Sequence, residues 1–294
     1  MENNKVSLVL PAYQEEDGIE PVLQELLLIQ EKGSIDEIIV VDDGSTDKTS
    51  EIIEQFKSVN LIKHSNNIGY GAALKTGIRH AKNDIICITD SDGTYPNKEI
   101  PSLIKLLKDR DLDMIIGSRT GKNVRIPLIR RPAKWVIGKI ANWVIGQAIP
   151  DINSGLRLFK RSAYNPFSKL IPNGFSFTTT ITLGMLSNNY KVEFIPIDYS
   201  RRIGFSKIRP IRDTLNFIKL ILRIGLYFAP LKIFLPLSII LIFAAFVWGI
   251  YTKLVLGQLA DVSSLIIAMT GFQIGVIAFI AELINHRIPN TYYK

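Results

Sequence analysis

Four short clusters in this 294-residue chain hold residue types able to grip a charged, oxygen-rich ligand. Asp90-Ser91-Asp92-Gly93 sets two carboxylates two positions apart, and Asp42-Asp43-Gly44-Ser45 supplies a second acidic pair. Pro11-Ala12-Tyr13-Gln14-Glu15 joins an aromatic ring to a carboxylate, and Gly117-Ser118-Arg119 offers a cation. Paired carboxylates without a neighbouring histidine are hard oxygen ligands, which suits Mg2+ or Mn2+ held jointly with a substrate phosphate. A single Asp-x-Asp is more often a turn or a helix cap. With a second acidic pair at a neighbouring strand end the metal reading prevails, because crowded carboxylates repel unless a cation or hydrogen-bond donors offset them.

These clusters follow strand-like runs. Val6–Leu10, Glu37–Val41, Leu61–His64, Asp84–Thr89, Met114–Gly117, Leu156–Lys160 and Val192–Ile197 are short runs of strand character. Helical patterns lie between the early ones, over Ile19–Gln30, Lys48–Lys57, Gly71–Ala81 and Glu99–Lys108. Such alternation implies an α/β fold with a mostly parallel sheet covered on both faces. Ligands of such sheets bind beyond the carboxyl ends of the strands, where all four clusters fall. The period-2 alternation of a strand is expected to carry Asp90 and Asp92 into one cleft.

Composition narrows the class. Hydrophobic residues make up 47% and charged residues 21%, so the chain is not disordered. Cys87 is the single cysteine, which rules out an internal disulfide and a clustered-cysteine zinc site. The three histidines, His64, His80 and His286, lack metal-ligand spacing; His64 reads as a loop residue and His80 as a helix-surface residue. The net charge of +8 belongs wholly to residues 201–294, with 11 Lys and Arg against 3 Asp and Glu. Eight of those basic residues lie between Arg201 and Lys232. A nucleic-acid binder would carry base over its folded domain, so none is expected as a partner.

The basic segment leads into Ile233–Thr252 and Val262–Ala281, two uncharged runs of twenty residues joined by Lys253–Asp261. Each is long enough to cross ~30 Å of hydrocarbon as a helix. The expected organisation is a catalytic domain over 1–205, an amphipathic interface segment over 206–230, a transmembrane hairpin over 231–285 and a tail over 286–294. In the interface segment Ile211, Leu215, Ile218, Leu222 and Leu226 form one stripe, and Arg212, Asn216, Lys219 and Arg223 an adjacent one. The excess of basic residues beside the hairpin places both termini and the catalytic domain on the cytoplasmic side of an integral membrane protein. Met1–Lys5 leads straight into the first strand, so no secretory signal is expected.

With these motifs in order, the chain resembles family 2 glycosyltransferases of the GT-A fold, and among them the polyprenyl-phosphate glycosyltransferases typified by dolichyl-phosphate mannose synthase. The residues that carry the resemblance are Pro-Ala-Tyr-x-Glu (11–15), Asp-Asp-Gly-Ser-x-Asp (42–47), Asn-x-Gly-x-Gly (67–71), Asp-x-Asp-Gly-x-Tyr-Pro (90–96), Gly-Ser-Arg (117–119), Asp-x-x-Ser-Gly-x-Arg (151–157) and Arg-x-x-Gly-x-Ser-Lys (201–207). The resemblance implies an inverting, metal-dependent transfer of a sugar from a UDP- or GDP-linked donor to a polyprenyl (dolichyl or undecaprenyl) phosphate. It implies that Pro11, Tyr13, Glu15, Asp42 and Asp43 line the nucleotide, that Asp90, Ser91 and Asp92 hold metal and sugar-diphosphate, and that Arg119, Arg130, Lys134, Arg202 and Lys207 face the lipid and donor phosphates. Asp90, Asp92 and Arg119 are the expected catalytic residues. Three positions depart from the family pattern: Thr94 stands where some relatives have a metal-binding Gln, Lys134 where some have a Ser, and Phe177-Thr178-Thr179-Thr180 where many have an acid.

The chemistry agrees with this reading. A phosphomonoester is already ionised near neutral pH, since its second pKa is ~6. It needs orientation more than a catalytic base, which accounts for the lack of an evident catalytic histidine. A transferase acting on another membrane lipid or sugar-lipid is the nearest rival. A processive polysaccharide synthase is disfavoured by the short hairpin and the missing Gln-x-x-Arg-Trp motif. A dinucleotide oxidoreductase is disfavoured because Leu74 occupies the third glycine position after Gly69 and Gly71, and a non-catalytic membrane scaffold leaves the motifs unexplained. Oligomeric state stays open, self-association of the hairpin being one option.

Overall fold

The computed structural model describes residues 5–121, 138–139, 142–143, 145–174, 176–200, 225–226, 229–257 and 262–287. They fall into two units, Met1–Lys139 with Gln147–Ile218 and Ile140–Gly146 with Lys219–Lys294. Arg130, Lys134, Arg202 and Lys207 lie outside the described residues, as do most of the expected interface segment and nearly all of the tail.

In the first unit, β1 (Val6–Ala12), β2 (Glu37–Asp42), β3 (Val59–Lys63), β4 (Ile85–Ile88), β5 (Met114–Ser118), β6 (Arg157–Lys160) and β7 (Val192–Pro196) form one sheet. Its order is β3-β2-β1-β4-β6-β5-β7. β1 runs parallel to β2 and β4, β2 to β3, and β5 to β7. β6 is antiparallel to both of its neighbours. Every residue of β1 and β2 is buried, as expected of strands covered on both faces. All seven strands fall on the runs read from the sequence; the direction of β6 does not show there, because period and composition carry no information about strand direction.

α1 (Ile19–Glu31), α2 (Thr49–Glu54), α3 (Tyr70–His80), α4 (Ile100–Asp109), α5 (Arg161–Tyr164) and α6 (Phe177–Ser187) complete the unit. α1 buries Ile19, Val22, Leu23, Leu26 and Ile29, one stripe at helical spacing. α3 packs through small residues: a Cβ added at Gly77 would sit 2.3 Å from Cγ1 of Val9 on β1. The tight helix–strand contact that a leucine at position 74 does not offer is therefore made one turn later, at Gly77. α6 was not expected from the sequence. Its residues 177–186 are all buried, so it has no polar face and no amphipathic period to read.

The second unit contains the hairpin, α7 (Pro230–Leu256) and α8 (Val262–Arg287), each long and apolar enough to cross a membrane. Small residues form its inner seam. A Cβ at Gly271 would meet Ile242 and Leu241 at 2.9–3.1 Å, and one at Gly275 would meet Ser238. Ser238 Oγ donates to the Gly271 carbonyl at 2.7 Å. The large apolar side chains face outward, with Phe243 67% and Leu254 78% exposed. Small residues inside and large apolar ones outside is the pattern of helices packed in lipid.

A side chain at Gly77 must displace Val9 in the centre of the sheet. Gly77→Val is expected to cost about 1–3 kcal/mol through overpacking, read as a lower unfolding midpoint of the full chain in detergent.

Candidate active site

β1, β2 and β4 run parallel and end at one edge of the sheet, and β5 ends there too because β6 is antiparallel to both β4 and β5. β6 runs the other way, so its first residue, Arg157, comes to the same edge, and so does the segment after β7. All the clusters singled out in the sequence up to residue 119 lie there. What differs is how each side chain is held.

Two loops form one side. Gln14, at a left-handed φ of 51°, donates from its N–H to Ser45 Oγ at 2.9 Å, and Glu15 N–H donates to Thr49 Oγ1 at 2.8 Å. These bonds join the loop after β1 to the loop after β2. Asp42 Oδ1 accepts from Ser45 N–H at 3.0 Å and Ser45 Oγ at 2.5 Å, and Oδ2 accepts from Ser50 Oγ. Asp43 Oδ1 takes His64 Nδ1 at 2.7 Å and Ile68 N–H at 3.0 Å, while Oδ2 takes Gly69 N–H at 2.7 Å. His64 reaches on to Thr76 Oγ1 at 3.0 Å. His64 lies in the loop after β3, as expected, and is there a nearly buried bridge from Asp43 to α3. His80, as expected, lies exposed at the end of α3, on the Thr76 carbonyl. Pro11, Tyr13 and Glu15 sit beside this frame.

The Asn-x-Gly-x-Gly motif lets another loop approach. A Cβ at Gly69 would lie 2.6 Å from the Asn173 carbonyl, and one at Gly71 would lie 2.4 Å from that of Pro172. Ala72 N–H donates to Asn173 O at 3.0 Å. These glycines therefore admit protein backbone.

β4 ends at Ile88, so strand alternation does not govern Asp90 and Asp92; both belong to the turn that follows. Specific donors position them instead. Tyr70 Oη donates to Asp90 Oδ1 at 2.9 Å, and both oxygens of Asp90 rest against Gly155, where a Cβ would meet each at 2.7 Å. Asp92 Oδ1 accepts from Thr94 N–H at 3.2 Å and from Thr94 Oγ1 at 2.6 Å. Thr94 is fully buried and supports Asp92. Ser91 lies buried between the two acids. Among the described residues no group of three or more His, Cys, Asp or Glu could hold a metal. Two carboxylates remain, and these fit Mg2+ or Mn2+ if a bound diphosphate and water complete the shell.

Arg119 stands on β5's end, fixed by Asp151. Its Nε donates to Oδ2 at 2.7 Å and its Nη2 to Oδ1 at 2.8 Å, and its own N–H also reaches Oδ2 at 3.0 Å. Nη1 bonds to none of the described residues, while the guanidinium carbon lies 5.3 Å from the centre of the Tyr199 ring. Burial works against the charge of Arg119, but Tyr95, Asp151 and Tyr199 outweigh it and hold the group protonated well above its ordinary range. One edge thus presents a carboxylate pair and a pre-oriented guanidinium.

Residues 7–167, more than half of the chain, match the family model described as Glycosyl transferase family 2. The chain belongs to glycosyl transferase family 2. Residues 229–286 match a second model, the GtrB C-terminal hairpin, which coincides with α7 and α8. This family 2 enzyme is 26% identical over 221 residues to the low-salt glycan biosynthesis hexosyltransferase Agl6 of Haloferax volcanii, covering 74% of this chain and 53% of that one. It therefore spans about half the length of that relative. It is 27% identical over 206 residues to a dolichyl-phosphate hexose transferase of the same organism, covering 70% of this chain and 87% of that one. A crystal structure of glucosyl-3-phosphoglycerate synthase from Mycobacterium tuberculosis, in complex with Mn2+, UDP and phosphoglyceric acid, superposes with a TM-score of 0.61 at 20% identity, covering 75% of this chain and 78% of that one. That likeness is one of fold, and the fold is GT-A.

Several residues of this sheet edge were quoted in motifs without a role, or missed. Asp151, Gly155 and Arg157 belong to Asp-x-x-Ser-Gly-x-Arg, Tyr95 to the Asp-x-Asp motif, and Tyr70 sits inside Asn-x-Gly-x-Gly. Tyr199 carried no signal. Arg157 is fully buried, and its hydrogen bonds go to neutral acceptors: Ser154 O, Thr178 O at 2.9 Å and Thr182 Oγ1 at 2.9 Å. Burial pushes its pKa down to about 10, with Tyr70, Tyr95 and Asp151 acting in the opposite sense, so it stays a cation at neutral pH. The threonines of Phe177-Thr178-Thr179-Thr180 lie in buried α6 and brace the 151–157 segment, Thr179 through Asn153. Burial, reinforced by Asp90, raises the Tyr70 pKa, so its hydroxyl remains a donor.

Gly155→Ala would push directly on both oxygens of Asp90. The expected outcome is a folded protein whose turnover falls by about 10²-fold, the scale of a small misplacement at a reacting centre, measured as kcat on the full chain beside an unchanged circular dichroism spectrum.

Proposed function

We propose that this enzyme transfers a hexose from a nucleotide-sugar, UDP-linked in the first instance, to a polyprenyl phosphate at the cytoplasmic face of a membrane, with inversion at the anomeric carbon. The observation that carries the reading is the pairing of Asp90 and Asp92 with Asp151-fixed Arg119 at one sheet edge, in a chain that ends in a GtrB-type hairpin. The name of the dolichyl-phosphate hexose transferase supports the acceptor. The UDP and Mn2+ complex of the mycobacterial synthase supports the donor and the metal.

In this reading the loops joined by Gln14–Ser45 and Glu15–Thr49 carry Pro11, Tyr13, Glu15, Asp42 and Asp43 along the nucleotide. Asp90 and Asp92, with Ser91 between them, would hold Mg2+ or Mn2+ beside the donor diphosphate, and such an ion would supply positive charge against the negative charge that grows on the leaving group. Tyr70 and Thr94 keep the two carboxylates in place before the donor arrives. Arg119 directs Nη1 at an anionic oxygen of the acceptor, its other nitrogens being held by Asp151. The acceptor oxygen attacks the anomeric carbon, the bond to the diphosphate breaks, and no protein base is needed because the attacking oxygen is already ionised. Arg130, Lys134, Arg202 and Lys207 are assigned to the lipid and donor phosphates. A polyprenyl chain stays in the bilayer, so the hairpin and the basic residues from Arg201 onward keep the enzyme where its acceptor is. The same basic residues favour cytoplasmic termini.

The test is a panel of UDP-glucose, UDP-N-acetylhexosamines and GDP-mannose with polyprenyl phosphate and Mn2+ or Mg2+, scored for lipid-linked sugar and anomeric configuration. One donor is expected to give product, and a folded enzyme inactive with all of them would reject the acceptor assignment. Asp92→Asn and Arg119→Gln are each expected to cost about 10²–10³-fold in kcat, the scale of one lost electrostatic contact to a transition state.

A further inference from the structure

Gln273 stands at the midpoint of the 23-residue apolar span Val262–Ile284 of α8. Its side chain is exposed, and among the described residues none hydrogen-bonds to it. The other polar side chains toward the middle of the hairpin find partners within it. Thr270 Oγ1 donates to Ile266 O at 2.8 Å, Ser238 Oγ to Gly271 O at 2.7 Å, Thr252 Oγ1 to Gly249 O at 3.0 Å, and Trp248 Nε1 to Ser263 Oγ at 2.8 Å. The small-residue seam of α8, Ser264, Gly271, Gly275 and Ala278, is already filled by α7. Gln273 lies off that seam, among exposed Met269, Ile277 and Ile280.

If the hairpin crosses a bilayer, as the proposed function holds, this amide sits at the depth where no water reaches it and no headgroup lies within its length. An amide has two donors and two acceptor lone pairs, so it is complementary to another copy of itself. Two copies of one chain insert with the same orientation, which brings Gln273 of each to the same depth without further adjustment. A two-fold axis along the membrane normal then lets each amide donate to the other. We propose that the Gln273 face of α8 is a self-association surface, and that its partner is α8 of a second copy of this chain.

The test uses the full chain in phospholipid vesicles. Cys87, its single cysteine, is buried, so the unsubstituted protein serves as the blank. Ile277→Cys, one turn from Gln273 on the same face, is expected to form a covalent dimer on oxidation, and Phe279→Cys, on another face, several-fold less. Gln273→Leu in the Ile277→Cys background is expected to lower the association constant by about three- to thirtyfold, and Gln273→Asn by less. An unchanged cross-linked fraction in Gln273→Leu, or equal cross-linking at Ile277→Cys and Phe279→Cys, overturns the pairing. Extraction with alkaline carbonate separates the two ideas. A chain released from the vesicles overturns the membrane reading and the pairing together, whereas a chain retained but not cross-linked overturns the pairing alone.

Discussion

Carboxylates gathered at one edge of a sheet destabilise one another unless each is given a donor or a cation, and the first unit is organised around meeting that demand. Asp42 is satisfied by Ser45 and Ser50, and Asp43 by His64 and two backbone N–H groups. Asp90 receives the Tyr70 hydroxyl, Asp92 both donors of Thr94, and Asp151 the Arg119 guanidinium. The donors to Asp42 and Asp92 are local, but those to Asp43, Asp90 and Asp151 lie 20–32 residues away, so these bonds also draw separate loops together. Stability of the edge and geometry of the site are one set of contacts.

Arg157 extends this arrangement inward. It is a fully buried cation whose hydrogen bonds reach two carbonyls and one threonine hydroxyl. A buried charge of this kind is tolerated where its donors are satisfied and opposite charge lies nearby. Its two bonds to Ser154 O fix the peptide leading into Gly155, against which Asp90 rests. The guanidinium is thus coupled to the reacting edge through backbone. Burial raises the pKa of Tyr70 and Tyr95, so both stay neutral: Tyr70 donates to Asp90, while Tyr95 Oη accepts from the Gly155 N–H at 2.6 Å.

The second unit obeys a different solvent. In water the outward Phe243, Phe246 and Leu254 would be a liability, while in hydrocarbon they cost nothing and the seam is set by how closely the backbones approach. Gly271 and Gly275 allow that approach, and Ser238 adds a hydrogen bond across it. Each unit is thus matched to its own solvent, the first by satisfied polar groups and the second by outward apolar side chains.

The strands, the first four helices, the hairpin and the acidic clusters were all legible in the sequence. Each depends on a local property: period, β-branched runs, length of apolar stretch, or the spacing of acids after a strand. α6 was not legible, because a helix buried all round has no polar face. The reversed β6 was not, because direction leaves no mark on composition. The roles of Tyr70, His64, Asp151, Arg157 and Tyr199 were not, because each acts on a partner many residues away. By itself the sequence determined which acids and which cation stand at the sheet edge, and that the chain carries a membrane-length hairpin. Only the tertiary structure decided which donor holds which carboxylate, since hydrogen bonds between distant loops depend on where folding brings those loops, and local patterns do not encode that.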